Sequence, residues 1–340
     1  RPETSLPMSA GAIGWLFALV ALVGGLLVSA PARADVDAER MTQRAAEHSP
    51  LQFHYPKQYA PAIDLLDEES GAVVPALEKG LGIEPFPAVD VWVLPQVNDY
   101  YELRGEPNRA PEWAIGLSLG DKQTVIVARD TQMPGGGGSD MQKTFVHELT
   151  HVAIDIARKG GEVPRWFHEG YALKQAEEWT PERSEQLSRA ASTGRLIALH
   201  DLSDTFPGHH NVASLAYAQS FDFVRFIERR HGTEAIAEIM GAVGRGTAFD
   251  KAVELATGQS LAAMEHTWRT DLTEKTSWFA ILRDDFAIFF GATLLFALAW
   301  FVRRRRNRQS FDDMEEDEAG EWDYDESRYP LPGESHDSSS

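Results

Sequence analysis

The sequence predicts an α+β protein of two lobes, a small N-terminal β-sheet lobe and a helical C-terminal lobe, followed by one C-terminal transmembrane helix. Three observations predict it. Short apolar runs of strand character, broken by turn residues, fall between residues 53 and 128, whereas from residue 180 onward the apolar spacing is helical. Between the halves, residues 143–157 form a helix-periodic stretch that contains His147-Glu148-Leu149-Thr150-His151. Near the C-terminus, residues 286–302 are uncharged and mostly apolar, and Arg303 to Arg306 and Arg308 come directly after.

Composition narrows the functional classes. A length of 340 residues suits one sizeable domain plus appendages. With no cysteine, disulfides, thiolate metal ligands and a cysteine nucleophile are all excluded. The net charge of −20 argues against a nucleic-acid partner. That charge is uneven: residues 309–340 hold 12 acidic residues against one Arg.

Taken in order, the chain opens on Arg, as a fragment or as a start upstream of the true initiator, for which Met8 is the obvious candidate, and residues 11–28 are an uncharged apolar run. Ala32 and Ala34 then supply a small-residue cleavage pattern, so 1–34 reads as a signal peptide or, uncleaved, as an anchor. Residues 35–50 are polar, a spacer or a frayed helix. Residues 53–55 read as a short strand, and 60–79 as a helix stopped by Gly80. Residues 89–94 alternate up to Pro95 and read as a strand. Residues 113–119 and 124–128 read as two more, joined by a turn at Gly120-Asp121.

Pro134 to Gly138 is a loop, and Ser139 with Gln142 has the form of a capping box that starts the next helix. In that helix Phe145, Leu149, Val152 and Ile156 share one face. Gly160-Gly161 end it, and Pro164 opens another. Helices over 181–192, 214–230, 233–242, 248–256 and 261–275 come next, separated by glycines.

On a helix, His147 and His151 stand one turn apart and point the same way, so both imidazoles reach one metal ion. Glu148 is turned roughly 100° away, beside the ion, where a carboxylate takes a proton from water. Glu169, eighteen positions after His151 on the helix begun by Pro164, supplies a third ligand. Two histidines and a distant glutamate leave one zinc position open, which marks a catalytic site. Asp155 shares the face of His151 and reads either as a carboxylate behind a ligand imidazole or as a solvent-facing Asp. His209 and His210 come after Pro207-Gly208 in a loop, and His200, His231 and His266 read as surface or core residues. Trp166 and Phe167 read as packing residues that hold Glu169.

The strings H-E-L-T-H-V-A, P-R-W-F-x-E-G-Y-A and A-Y-A-Q-S, in this order, resemble the peptidase MA-like group of gluzincin metallopeptidases, over residues 51–272. The resemblance implies a zincin-like fold with a thermolysin-like zinc site: His147, His151 and Glu169 as Zn2+ ligands and Glu148 as general base. It implies an edge strand beside the zinc that aligns a peptide or protein substrate, here within residues 113–118. It also implies a catalytic tyrosine near the metal at Tyr217, whose other reading is a core aromatic. His168 departs from the pattern, which has a small or apolar residue there; it either perturbs the site or sits on the outer face.

The expected organisation is 35–278 as an extracytoplasmic metallopeptidase domain, 283–303 as a transmembrane helix, and 304–340 as an acidic, disordered cytoplasmic tail. The protein is then single-pass in the cell membrane, its C-terminus cytoplasmic and its tail suited to a basic protein partner. The alternative is a catalytically idle gluzincin fold kept as a binding or signalling module and coupled to that partner.

Overall fold

A computed structural model describes residues 41–111, 114–129, 138–206 and 210–320, with side chains throughout these except at 138–140, 210–211, 276–289 and 306–320. The expected signal segment 1–34 and the last residues of the tail, 321–340, lie outside the described residues. The described chain divides into two units, one ending at Thr276 and one beginning at Ser277.

The first unit is α+β. Its sheet has five strands, β1 (Met41–Ala45), β2 (Leu51–Pro56), β3 (Val89–Leu94), β4 (Gly116–Leu119) and β5 (Thr124–Ala128). The spatial order is β1-β2-β3-β5-β4. β2, β3 and β5 run parallel, and the two edge strands run antiparallel to their neighbours. Residues 35–50 were expected as spacer or frayed helix, yet Met41–Ala45 is an edge strand. Its polar side chains suit an exposed edge, where Arg44 pairs with Asp64 at 2.6 Å and Asp67 at 3.0 Å. Asp67 is buried and also accepts the backbone N–H groups of Glu47 and His48, which ties the edge to the first helix.

That helix, α1 (Ala60–Leu81), crosses from β2 to β3 and buries Ile63, Leu66, Val74 and Leu77. Its end is set by Gly82, left-handed at φ 68°, rather than by Gly80 as the sequence suggested. Gly80 serves packing instead: a Cβ there would lie 2.2 Å from the Tyr171 hydroxyl. The short α2 (Asp99–Leu103) had no helical signal and places Tyr100 and Tyr101 on the second face of the sheet, with Leu94, Leu117 and Ile126. The opposite face, through Phe53, Val91, Val93, Val125 and Val127, joins the main core. β5 is therefore buried on both sides, as an interior parallel strand should be.

α3 (Gly138–Arg158) lies along the main-core face of the sheet. It is buried around most of its girth, since Val146, Ala153 and Ile154 are covered as well as Phe145, Leu149 and Val152. α4 (Arg165–Gln175) packs on α3 and on α6 (His210–His231), with α5 (Pro181–Ser192) beside α6. α7 (Glu234–Gly244) closes the core against α1 and α3, and α8 (Phe249–Thr257) comes after it. The α4–α6 contact is close at Gly170, where a Cβ would stand 2.3 Å from the Ser220 carbonyl oxygen. Small N-terminal sheet and helical body thus match the predicted plan.

α9 runs Leu261–Gly320. In the second unit its described side chains from Phe290 to Val302 are exposed around the helix, among them Leu294, Leu295, Phe296 and Phe301. Among the described residues no helix is long and apolar enough to cross a membrane. The span expected at 283–303 begins within 276–289, whose side chains lie outside that set.

Candidate metal centre

α3 and α4 build the site between them. His147 and His151, one turn apart on α3, present their rings edge to face with centroids 4.8 Å apart. Pro164 is extended at ψ 148° and starts α4 so that Glu169, on its second turn, faces both rings. Glu169 Oε2 lies 3.7 Å from His147 Nε2 and 3.8 Å from His151 Nε2. All three side chains are buried, and one ligand atom from each lies within 4.8 Å of the others. It is the one such group among the described residues.

Two imidazole nitrogens and one carboxylate oxygen, buried and converging, fit a divalent transition metal with a position left open. A second observation agrees. Glu148, on the adjoining face of α3, is 1% exposed and its Oε2 has no hydrogen-bond partner among the described residues. A buried carboxylate oxygen left so needs a ligand or water to satisfy it.

The charges arise from this crowding. Burial pushes the Glu148 carboxyl up to about 8, with Glu169 and Glu178 adding to the rise against the opposing pull of His147. Burial works against a charge on His147, but the carboxylates of Glu169 and Glu178 outweigh it and raise that imidazole to about 10. His151 goes the other way: burial, then its charged neighbour His147, hold it well below 6.5. Burial alone would raise Glu169, yet His147, His151 and Arg165 keep it below the usual carboxylate range.

The edge strand β4 comes up beside the base. At Gly116 a Cβ would meet Glu148 Cγ at 2.7 Å and Oε1 at 2.8 Å, so only glycine leaves the carboxylate where it stands. The start of the expected strand, at Trp113, lies outside the described residues.

Tyr217 on α6 is 8% exposed and sits in a small cluster with Leu173 and Phe221, its ring edge-on to Phe206 at 4.9 Å. Burial raises its hydroxyl pKa, and the charge of Glu169 raises it further against Arg165. It is therefore both a packed aromatic and a neighbour of the ligand set. His168 is not on an outer face: it is 4% exposed with its ring 5.8 Å from that of His151. Burial, Arg158 and Arg165 push it down to about 3, which keeps it neutral. Trp166 and Phe167 are fully buried, Trp166 edge-on to Phe223, and Phe167 stacked on Tyr171 and edge-on to Phe249.

Asp155 serves neither expected role, since it pairs with Arg158 at 2.5 Å and packs against Gly120. The carboxylate behind a ligand imidazole is Glu178, whose Oε1 lies 3.2 Å from His147 Nδ1. Sequence reasoning missed it because it stands beyond the end of α4, where the chain turns back through Glu177 at φ 51°. No helical spacing connects it to His147. Arg165, 3.4 Å from Glu169 Oε1, was also missed, although its position one turn before Glu169 was a usable signal. His200 and His266 are exposed and outside the group, and His210 begins α6 with its side chain outside the described residues.

A helix-borne pair of histidines with the glutamate of the next helix is the ligand arrangement of the gluzincin-like peptidases. The family description "Peptidase MA superfamily" matches residues 72–274, more than half of the chain, and the chain belongs to that superfamily. No curated protein matches it. Among solved structures it is similar to a two-domain M1 zinc metallopeptidase bound to L-arginine, at 12% identity and TM-score 0.38, over 68% of this chain and 51% of that one. It is also similar to an M1 zinc metallopeptidase from Deinococcus radiodurans, at 14% identity and TM-score 0.35, over 64% and 47%. A third is Legionella pneumophila aminopeptidase A in complex with aspartic acid, at 16% identity and TM-score 0.38, over 67% and 27%. The chain thus spans about half or less of each, a likeness too remote to carry a substrate.

Proposed function

We propose that this chain is a zinc metallopeptidase that hydrolyses peptide bonds outside the cytoplasm while anchored in the cell membrane. The observation that carries the chemistry is the buried convergence of His147, His151 and Glu169 with the Glu148 carboxylate alongside. Zinc, when bound by these three residues, supplies a Lewis acid and an acidified water. Glu148 accepts the proton of the attacking water as the new C–O bond forms. It then delivers that proton to the amine as the C–N bond breaks. Glu178 faces His147 Nδ1 and so directs Nε2 toward the ligand centre. In this reading Tyr217, buried on α6 with the charge of Glu169 near its hydroxyl, donates to the developing oxyanion. An idle site would have no use for an intact base beside intact ligands, and Glu148 is the residue that separates the two readings.

Membrane anchoring rests on the sequence. The apolar run 286–302 covers about 25 Å at 1.5 Å per residue, and the arginines after it can snorkel to complete a span. We place the peptidase domain outside the cytoplasm and the acidic tail inside.

Two variants test the chemistry. The purified protein should carry about one zinc per chain, and His151→Ala should lose it to a chelator, because two remaining ligands hold zinc poorly. Glu148→Gln should keep both metal and fold and lose peptide hydrolysis, since an amide cannot take the proton. Equal zinc in wild type and His151→Ala, or full activity in Glu148→Gln, would overturn the assignment.

A further inference from the structure

Arg165 opens α4 one turn before Glu169, with its backbone N–H donating to the Ser203 carbonyl at 2.7 Å. Its Nη2 lies 3.4 Å from Glu169 Oε1, whereas Oε2 of the same carboxylate faces both histidines. The two oxygens are thus divided between a fixed cation and the ligand centre. The guanidinium lies over the Phe206 ring at 5.3 Å, and Phe206 in turn braces Tyr217. We propose that Arg165 is a positioning residue: it holds Glu169 Oε1 in place, so that Oε2 is the oxygen left facing the two histidines and a bound metal. The proposal rests on the zinc site described above and adds to it a residue outside the ligand set.

Charge and position predict opposite signs. A guanidinium repels a nearby metal cation, so if Arg165 acted only by its charge, removing it would tighten zinc binding. Losing the partner that orients a ligand weakens metal affinity by about 10–100-fold. Guanidinium is also a planar fork that an ammonium does not reproduce. The experiment is zinc affinity of the full chain by chelator competition at fixed pH, with thermal melts as the control for folding. Arg165→Ala should bind zinc about 10–100-fold more weakly, Arg165→Lys should recover part of the loss, and added guanidinium ion should recover part of it in the alanine variant. A folded Arg165→Ala that binds zinc as tightly as wild type, or more tightly, overturns the proposal. If the alanine variant does not fold, Arg165→Gln, which keeps N–H donors on a shorter, uncharged side chain, is judged by the same comparison: weaker binding supports positioning and unchanged or tighter binding overturns it. Wild type that binds no zinc would instead overturn the metal site, and this assignment with it.

Discussion

At His147 the two ring nitrogens face different carboxylates, Glu169 from Nε2 and Glu178 from Nδ1. That division would decide which nitrogen ligates a metal: with the carboxylate of Glu178 at Nδ1, Nε2 is the nitrogen left on the side of Glu169. Glu178→Gln removes the charge and keeps the shape, so the fold should persist while zinc affinity falls about 10-fold or more. Chelator competition checks it, and unchanged affinity would mean that Glu178 only packs against the ring. The contrast with the ligands shows how much was legible at this scale. His147, Glu148 and His151 stand at fixed offsets along one helix, where sequence distance translates directly into direction. Glu169 needed only one further helix. Glu178 reaches the site by a loop reversal, and no rule of spacing carries across that.

At the scale of elements the strands and helices were legible wherever burial is one-sided and periodic. β3, β5 and α5 fall where the alternation and the helical spacing put them. The errors came where a residue type has two uses. Gly80 reads as a stop but makes room for Tyr171, and Met41–Ala45 reads as polar spacer but forms an edge strand that needs no apolar face. Gly170 is the sharpest case. Glycine to alanine inside a helix ordinarily stabilises by about 0.5–1 kcal/mol. Here the new Cβ would lie 2.3 Å from the Ser220 oxygen and 2.5 Å from its carbon, backbone atoms that cannot swing aside. Overpacking of this kind costs about 1–3 kcal/mol and wins. Gly170→Ala should therefore lower the melting temperature by roughly 2–10 °C. It should weaken zinc binding too, because Glu169 is the adjacent residue on the helix that must move. A variant as stable as wild type would show that α4 and α6 slide apart freely.

At the scale of the whole molecule the proposed membrane topology rests on two separate sequence features that call for the same orientation. On the proposed topology, the apolar run 11–28 would carry the chain after it across the membrane. The run 286–302 would then stop transfer, and the five arginines after it would hold the C-terminal tail in the cytoplasm. The exposed apolar side chains of the second unit, Phe290 through Val302, suit a lipid surround better than water. The tail from residue 309 onward carries 12 acidic residues and one Arg, so in that orientation an anionic inner leaflet would repel it and a basic protein would attract it. Protease added to intact spheroplasts should then digest the peptidase domain and spare an epitope placed after Ser340. Immunoblotting for both ends reads the result. A digested epitope with a protected domain would reverse the orientation, and the substrates of the His147–His151–Glu169 site would have to be sought inside the cell.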